Sequence, residues 1–160
     1  VLGATPGAAG YRLPTEAEWE WAARHQAGGM VRFTWGEALP PPPRSGNFAD
    51  QSAVGFAPQV LEKYQDGYPV SAPVGSFAPN DKGLLDLDGN AAEWAHDWYD
   101  VPVEQTTPMT DPQGPSGGQH HVIRGASWAH GTLTELRLSF RDYGMDGRDD
   151  VGFRIARYLE

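Results

Sequence analysis

The sequence of 160 residues contains no cysteine, and that absence removes thiol catalysis, disulfide staples and cysteine-ligated zinc from consideration. Lack of cysteine fits an oxidising compartment without requiring one. No run approaches the roughly eighteen consecutive apolar residues of a membrane span, and no charged segment leads into an apolar core near Val1. Positive charge is also scarce: 12 Lys and Arg stand against 21 Asp and Glu, a net charge of −9. Nucleic-acid binding draws its affinity from clustered basic side chains, so nucleic acid is not an expected partner. What is abundant is glycine, 20 residues, and proline, 14, together with six each of Trp, Tyr and Phe. A disordered chain lacks such large apolar bodies, so the expectation is a loop-rich globular fold with short elements. The length suits one domain over 1–160, burying roughly two thirds of its unfolded surface. From the beginning at Val1 and the Leu-Glu ending, the expectation is an N-terminally shortened domain or a piece of a longer protein.

The stretch Gly83–Tyr99 organises the rest. Asp88, Asn90 and Glu93 fall within six residues around Gly89, with Trp94 and Trp98 close behind. Calcium takes six to eight oxygens from carboxylates, amides and backbone carbonyls at about 2.3–2.6 Å, and this loop offers all three kinds. A polar turn whose Asp and Asn bond their own backbone has the same spacing, and spacing leaves both readings open.

Along the chain, Thr15 followed by Glu18 forms a capping box that starts a helix, with Trp19, Ala22 and Ala23 as its buried stripe and Glu16, Glu20 and Arg24 facing water. Gly28 and Gly29 end it. Phe33–Trp35 reads as a short strand, Pro40–Pro43 as a stiff extended stretch, and Pro73–Phe77 as a short strand or bend. Asn47 and Asp66 offer two more isolated oxygen ligands in glycine-rich surroundings, where turn residues have the same character and both readings stay open. Residues 100–119 read as a long surface loop, and His121–Arg124, Leu136–Phe140 and Gly152–Tyr158 as strands. Residues 142–150 read as an acidic turn.

Five segments occur here in the order typical of one family. They are Arg12–Arg24 (RLPTEAEWEWAAR), Pro73–Phe77 (PVGSF), Gly83–Trp94 (GLLDLDGNAAEW), Arg124–Trp128 (RGASW) and Gly152–Arg154 (GFR), and they cover most of 11–157. The chain resembles the formylglycine-generating enzyme, or sulfatase-modifying factor, family. The resemblance implies an α+β, loop-rich variant of the C-type lectin fold, with small antiparallel sheets and few helices. Family domains are longer at the N-terminus, so a first strand and first helix are expected to be absent. The resemblance further implies structural calcium, with Asn47 and the Phe48 carbonyl, Asp66 and the Tyr68 carbonyl, and Asn90 with Glu93 at the matching positions.

At the catalytic positions the match breaks. Family enzymes bind copper through two cysteines, and here those positions fall at or near His130 and Glu135. Soft Cu(I) selects sulfur ligands, so neither copper nor formylglycine-generating activity is expected. A two-histidine, one-carboxylate iron site from His130, Glu135 and His120 or His121 is conceivable, but a lone histidine in a Gly-Thr loop is more often solvated or a polar contact, and iron is not expected. His120 and His121 alternate in direction on a strand, which weakens a joint chelate. Ser127 lacks a Gly-x-Ser-x-Gly setting. The family's substrate cleft corresponds to the C-terminal third, which marks Trp128, His130, Arg141, Tyr143 and Arg148 as a candidate binding surface.

Three functional classes follow. The favoured one is a noncatalytic, calcium-stabilised module that recognises a peptide or protein, of the kind fused to a larger bacterial protein such as a kinase. The second is an oxygen-dependent metalloenzyme, formylglycine-generating or sulfoxide-synthase-like, completed by another domain. The third is a ligand-displaying variable protein of a diversity-generating retroelement, in which Ala129, His130, Thr132, Tyr143 and Met145 would vary between clones.

Overall fold

The computed structural model describes residues 10–101 and 107–158. Among the described residues one α-helix, α1, runs Glu16–Arg24 and starts as the sequence dictates. The Thr15 hydroxyl accepts the Glu18 N–H at 3.2 Å, and the Glu18 carboxylate accepts the Thr15 N–H at 2.8 Å, so two of the helix's orphan donors are satisfied reciprocally. Trp19 and Ala23 are buried. The helix stops at Arg24, ahead of the glycines, because the chain turns back as a two-residue hairpin of β1 (His25–Gln26) and β2 (Gly29–Met30).

Among the described residues, a single 3-10 turn at Gln51–Ala53 and a four-stranded sheet make up the remaining regular structure. The sheet is built from β3 (Ala92–Trp98), β4 (His121–Arg124), β5 (Arg141–Gly144) and β6 (Val151–Phe153), in the order β5-β4-β3-β6. β4 runs antiparallel to β3 and β5, whereas β6 lies parallel to β3, so the sheet is mixed. A bridge from Arg12 to Ala156 ties the approach to α1 to the segment after β6.

Apolar burial falls into two clusters. One gathers Phe33, Phe48, Tyr64, Ala126 and Leu136, and the other packs Trp19 and Ala23 of α1 against Leu87 and Leu138. Charged groups join them. Arg124, 1% exposed, donates to Glu16, Glu20 and the Leu138 carbonyl and lies over the Trp19 ring. Arg12, equally buried, forms a two-pronged pair with Glu18 at 2.6 Å.

Several local expectations change. Glu16, Glu20 and Arg24 do not simply face water: they are half-buried and ion-paired, because buried Arg124 needs carboxylates. Leu136–Phe140 is a pair of turns, not a strand, closed by bonds from Leu136 N–H to Thr132 and from Phe140 N–H to Arg137. Its alternation still buries Leu136 and Leu138. Phe33–Trp35 is a turn closed by a Phe33–Gly36 bridge, and Pro73–Phe77 is also turn. The acidic 142–150 segment contributes to β5, and the final strand stops at Phe153. Part of the 100–119 loop lies outside the described residues; the rest is irregular.

Thr15→Ala should destabilise the domain by about 1 kcal/mol, lowering its melting temperature by about 2–4 °C, and Thr15→Ser should restore it. Equal melting of Thr15→Ala and wild type would remove the capping box from the fold's determinants.

Candidate functional site

The loop at Gly46–Asn47 and the loop at Asp88–Asn90 meet back to back. Gly89, at φ 88°, approaches the other loop so closely that a Cβ there would sit 2.7 Å from the Asn47 carbonyl, and one on Gly46 would meet the Asp88 carbonyl at 2.5 Å. The approach lets the Asn90 N–H donate to the Asn47 carbonyl at 2.7 Å. Asn47 Nδ2 then donates to Asn90 Oδ1 and to the Val70 carbonyl, and Asn90 Oδ1 also accepts the Ala72 N–H. Asn90 itself holds a left-handed φ of 67°, a conformation asparagine tolerates better than most residues.

Asp66 continues the network. Its carboxylate accepts the N–H groups of Phe48 and Tyr68 at 3.0 and 2.9 Å, while Asp50 accepts those of Asp66 and Gly67. Burial and the nearby Asp50 charge outweigh these donors and push the Asp66 carboxyl up to about 6. Five of the six residues matching the family's calcium positions, Asn47, Phe48, Asp66, Tyr68 and Asn90, thus form one connected network. Glu93 stands apart: its two oxygens take the Arg154 guanidinium and the Trp19 Nε1–H.

These residues differ in their fitness for a cation. Asn47 Oδ1 is buried without a partner, and the carbonyls of Phe48 and Tyr68 accept no hydrogen bond from a described residue. With the Asp66 carboxylate, whose oxygens also accept the Phe48 and Tyr68 N–H groups, they are hard oxygens of the kind calcium takes. Asn90 Oδ1 accepts from Asn47 and Ala72, and Glu93 is engaged by Arg154 and Trp19, so in this arrangement the second pair serves as protein-to-protein links.

Asp88 lies beside this network, 3% exposed, accepting the Ala126 N–H at 3.3 Å through Oδ1 while Oδ2 has no partner. Burial pushes its carboxyl up to about 8.

The candidate ligand-binding residues separate into two groups. Strand alternation puts Arg141 and Tyr143 on one face of β5, where their side chains flank Tyr99: the guanidinium lies 4.9 Å over its ring and Tyr143 at 4.5 Å. Arg141 is held by Glu16 at 2.6 and 2.8 Å, and Tyr143 is half exposed. Arg148 binds Asp142 and Asp150, Asp150 accepts the Ser127 hydroxyl, and His130 Nδ1 accepts the Ser127 N–H at 3.1 Å. His130 is therefore no free surface histidine; its ring packs edge-on to Phe140, and burial lowers its pKa. Trp128, expected as an exposed aromatic, is 8% exposed because its N–H is drawn to the Asn90 carbonyl.

Ser127, His130 and Asp150 do come together, but not as a nucleophile and base. Ser127 is fully buried and its hydroxyl donates to the carboxylate rather than to the imidazole. Glu135 accepts from the Thr132 N–H and hydroxyl, His121 stacks on Trp98, and His120 packs on Tyr143. Among the described residues no three His, Asp or Glu side chains gather as metal ligands.

Sequence reasoning missed two concavities beside α1, lined in part by Trp21, Trp98, Asp97 and Arg141. The aromatics carried the signal, since Trp21 lies outside the helix's buried stripe.

A short helix, a small mixed sheet and long ordered loops pinned by side-chain oxygens define a C-type-lectin-like domain. The chain belongs to the sulfatase-modifying factor family: the profile of the sulfatase-modifying factor enzyme 1-like domain matches residues 2–159. A formylglycine-generating enzyme from Streptomyces coelicolor is 42% identical over 152 residues, which are 92% of this chain and 47% of that protein. The serine/threonine-protein kinase pkn1 of Chlamydia caviae is 33% identical over 98% of this chain and 24% of its own length. Among solved structures, Treponema denticola variable protein 1 superposes with a TM-score of 0.76 at 28% identity, covering 96% of this chain and 49% of that one. The chain spans about half the length of the enzyme it matches.

Asp88 yields a pH test. Its folded-state pKa lies above the unfolded value near 3.9, so its stabilising contribution is complete below that value and is lost as pH rises through about 8. Asp88→Asn keeps the shape without the charge, so its melting temperature relative to wild type should rise between about pH 5 and pH 8. Parallel melting curves for the two proteins over that range would show that Asp88 is ionised at no cost.

Proposed function

We propose that this chain is a noncatalytic member of the sulfatase-modifying factor family, a calcium-stabilised module that recognises a peptide or protein ligand. The observation that carries this reading is the state of the former catalytic corner. No thiol exists anywhere in the chain, and the side chains near the two cysteine positions already serve the fold, His130 accepting from Ser127 and Glu135 from Thr132. A soft-metal site has nothing to form from, while the loops that shape the domain are intact. The kinase relative, in which the matched region is 24% of the protein, supports a module fused to a larger bacterial protein.

Calcium, when bound, supplies a fixed positive charge and several coordination bonds at once. Asn47 through Oδ1, the carbonyls of Phe48 and Tyr68, and the Asp66 carboxylate are the residues that would hold it. Such an ion would neutralise the crowded Asp50 and Asp66 carboxylates and stabilise the folded loops by mass action. Asn90 and Glu93 act beside it as protein-to-protein links.

Plasma mass spectrometry on purified protein is expected to find calcium and neither copper nor iron, and melting should fall in chelator. Asn47→Ala should abolish the difference between calcium and chelator, whereas Glu93→Gln should lower both melts equally. A calcium response that survives Asn47→Ala, or oxygen uptake with supplied copper that is lost in His130→Ala, would overturn the reading.

A further inference from the structure

Two grooves lie beside α1 and share no residue with the Asn47–Asn90 network. The larger, of about 550 Å³, runs between α1, the end of β3 and the 109–115 loop, over Trp98, Met109, Pro112 and Pro115. The smaller, of about 340 Å³, lies over Trp21, Pro112 and Tyr158. They share Ala17, Pro112 and Gln113, so they form one continuous surface on the N-terminal half of the helix. Both volumes fall within the range of ligand sites.

The walls are mostly apolar, but their charge has one sign. Six carboxylates line the two grooves, Glu16, Glu18, Glu20, Asp97, Asp100 and Asp111, against a single cation, Arg141. The three glutamates are matched by Arg12, Arg24, Arg124 and Arg141. The three aspartates make no ion pair among the described residues. Asp97 is the telling one. Only 4% exposed, it accepts the Glu16 N–H at 2.7 Å, and burial together with the Glu16 charge raises its pKa. A carboxylate in that position gains from an incoming cation.

We propose that this groove docks a basic peptide segment of a partner protein, its Arg or Lys side chains meeting Asp97, Asp100 and Asp111 and its apolar side chains lying on Trp98, Met109, Trp21 and the prolines. The proposal rests on the reading of the chain as a binding module, and names the ligand class and the site. Charge complementarity selects this occupant: an anionic membrane or nucleic acid is repelled by a chain of net charge −9. A bare metal ion would make no use of the tryptophans and prolines, which suit an extended peptide.

The test pans a random dodecapeptide library on the chain, then titrates the peptide acetyl-Gly-Leu-Arg-Ala-Leu-Lys-Gly-amide and its analogue with Glu at both basic positions, following tryptophan fluorescence. Asp100 and Asp111 are exposed; Asp111 has φ 46°, so Asn is the substitution its backbone tolerates. Basic, apolar peptides should be enriched. The basic probe should bind and the acidic analogue should show no binding up to about 1 mM. Asp100→Lys with Asp111→Asn should weaken the basic probe about tenfold at unchanged melting temperature, and higher salt should weaken it further. Enriched peptides without basic residues, or affinities insensitive to the double variant, overturn the groove while leaving the binding-module reading in place. If no peptide is enriched and the basic probe fails to bind, both are overturned.

Discussion

The contact between the turn at Asn47 and the turn at Asn90 sets the geometry of the domain. Few of its residues lie in helix or sheet, so most backbone donors and acceptors must find partners in loops, and a buried group without one costs about 1–3 kcal/mol. Two asparagines do much of this. Asn90 joins the Asn47 loop, the 70–72 segment and Trp128 through its backbone and amide, and Asn47 returns a bond to Asn90 and reaches Val70. Gly89 and Gly46 make the approach possible because no Cβ fits between the loops.

Buried arginines perform the complementary task of fixing α1 on the sheet. Arg124 on β4 reaches Glu16 and Glu20 on the helix and the Leu138 carbonyl, and Arg154 beyond β6 holds Glu93 of β3. Removing one partner from such a pair leaves an uncompensated buried charge, which costs about 3–5 kcal/mol, so geometry at these points is strongly specified. The same kind of pairing orders the corner around Ser127. Arg148, Asp150, Ser127 and His130 form a continuous series of hydrogen bonds.

Charge is unevenly distributed as a result. The glutamates of α1 are matched by arginines, while Asp97, Asp100 and Asp111 are left facing an apolar concavity. Structural carboxylates on α1 thus lie beside unmatched ones supplied by β3 and the loop after it.

Local chemistry was legible in the sequence wherever neighbouring residues determine it. The Thr15–Glu18 capping box, Trp19 as an anchor, the absence of thiol chemistry and the five ordered family segments were all readable before any coordinates, since a cap or a missing side chain needs no distant partner. Tertiary structure decided what depends on residues far apart. The alternation at Leu136–Phe140 buried the expected leucines, yet no neighbouring strand offered a ladder, and turns formed instead. Trp128 was drawn inward by Asn90, Glu16 was turned toward Arg124 and Arg141, and Glu93 was taken by Arg154 and Trp19. Each of those outcomes rests on a partner at least 38 positions away along the chain. Hydrogen bonds and ion pairs of that reach carry no periodic or neighbouring signature, so the sequence by itself names the ligating and charged groups and only the folded chain decides which oxygens remain free.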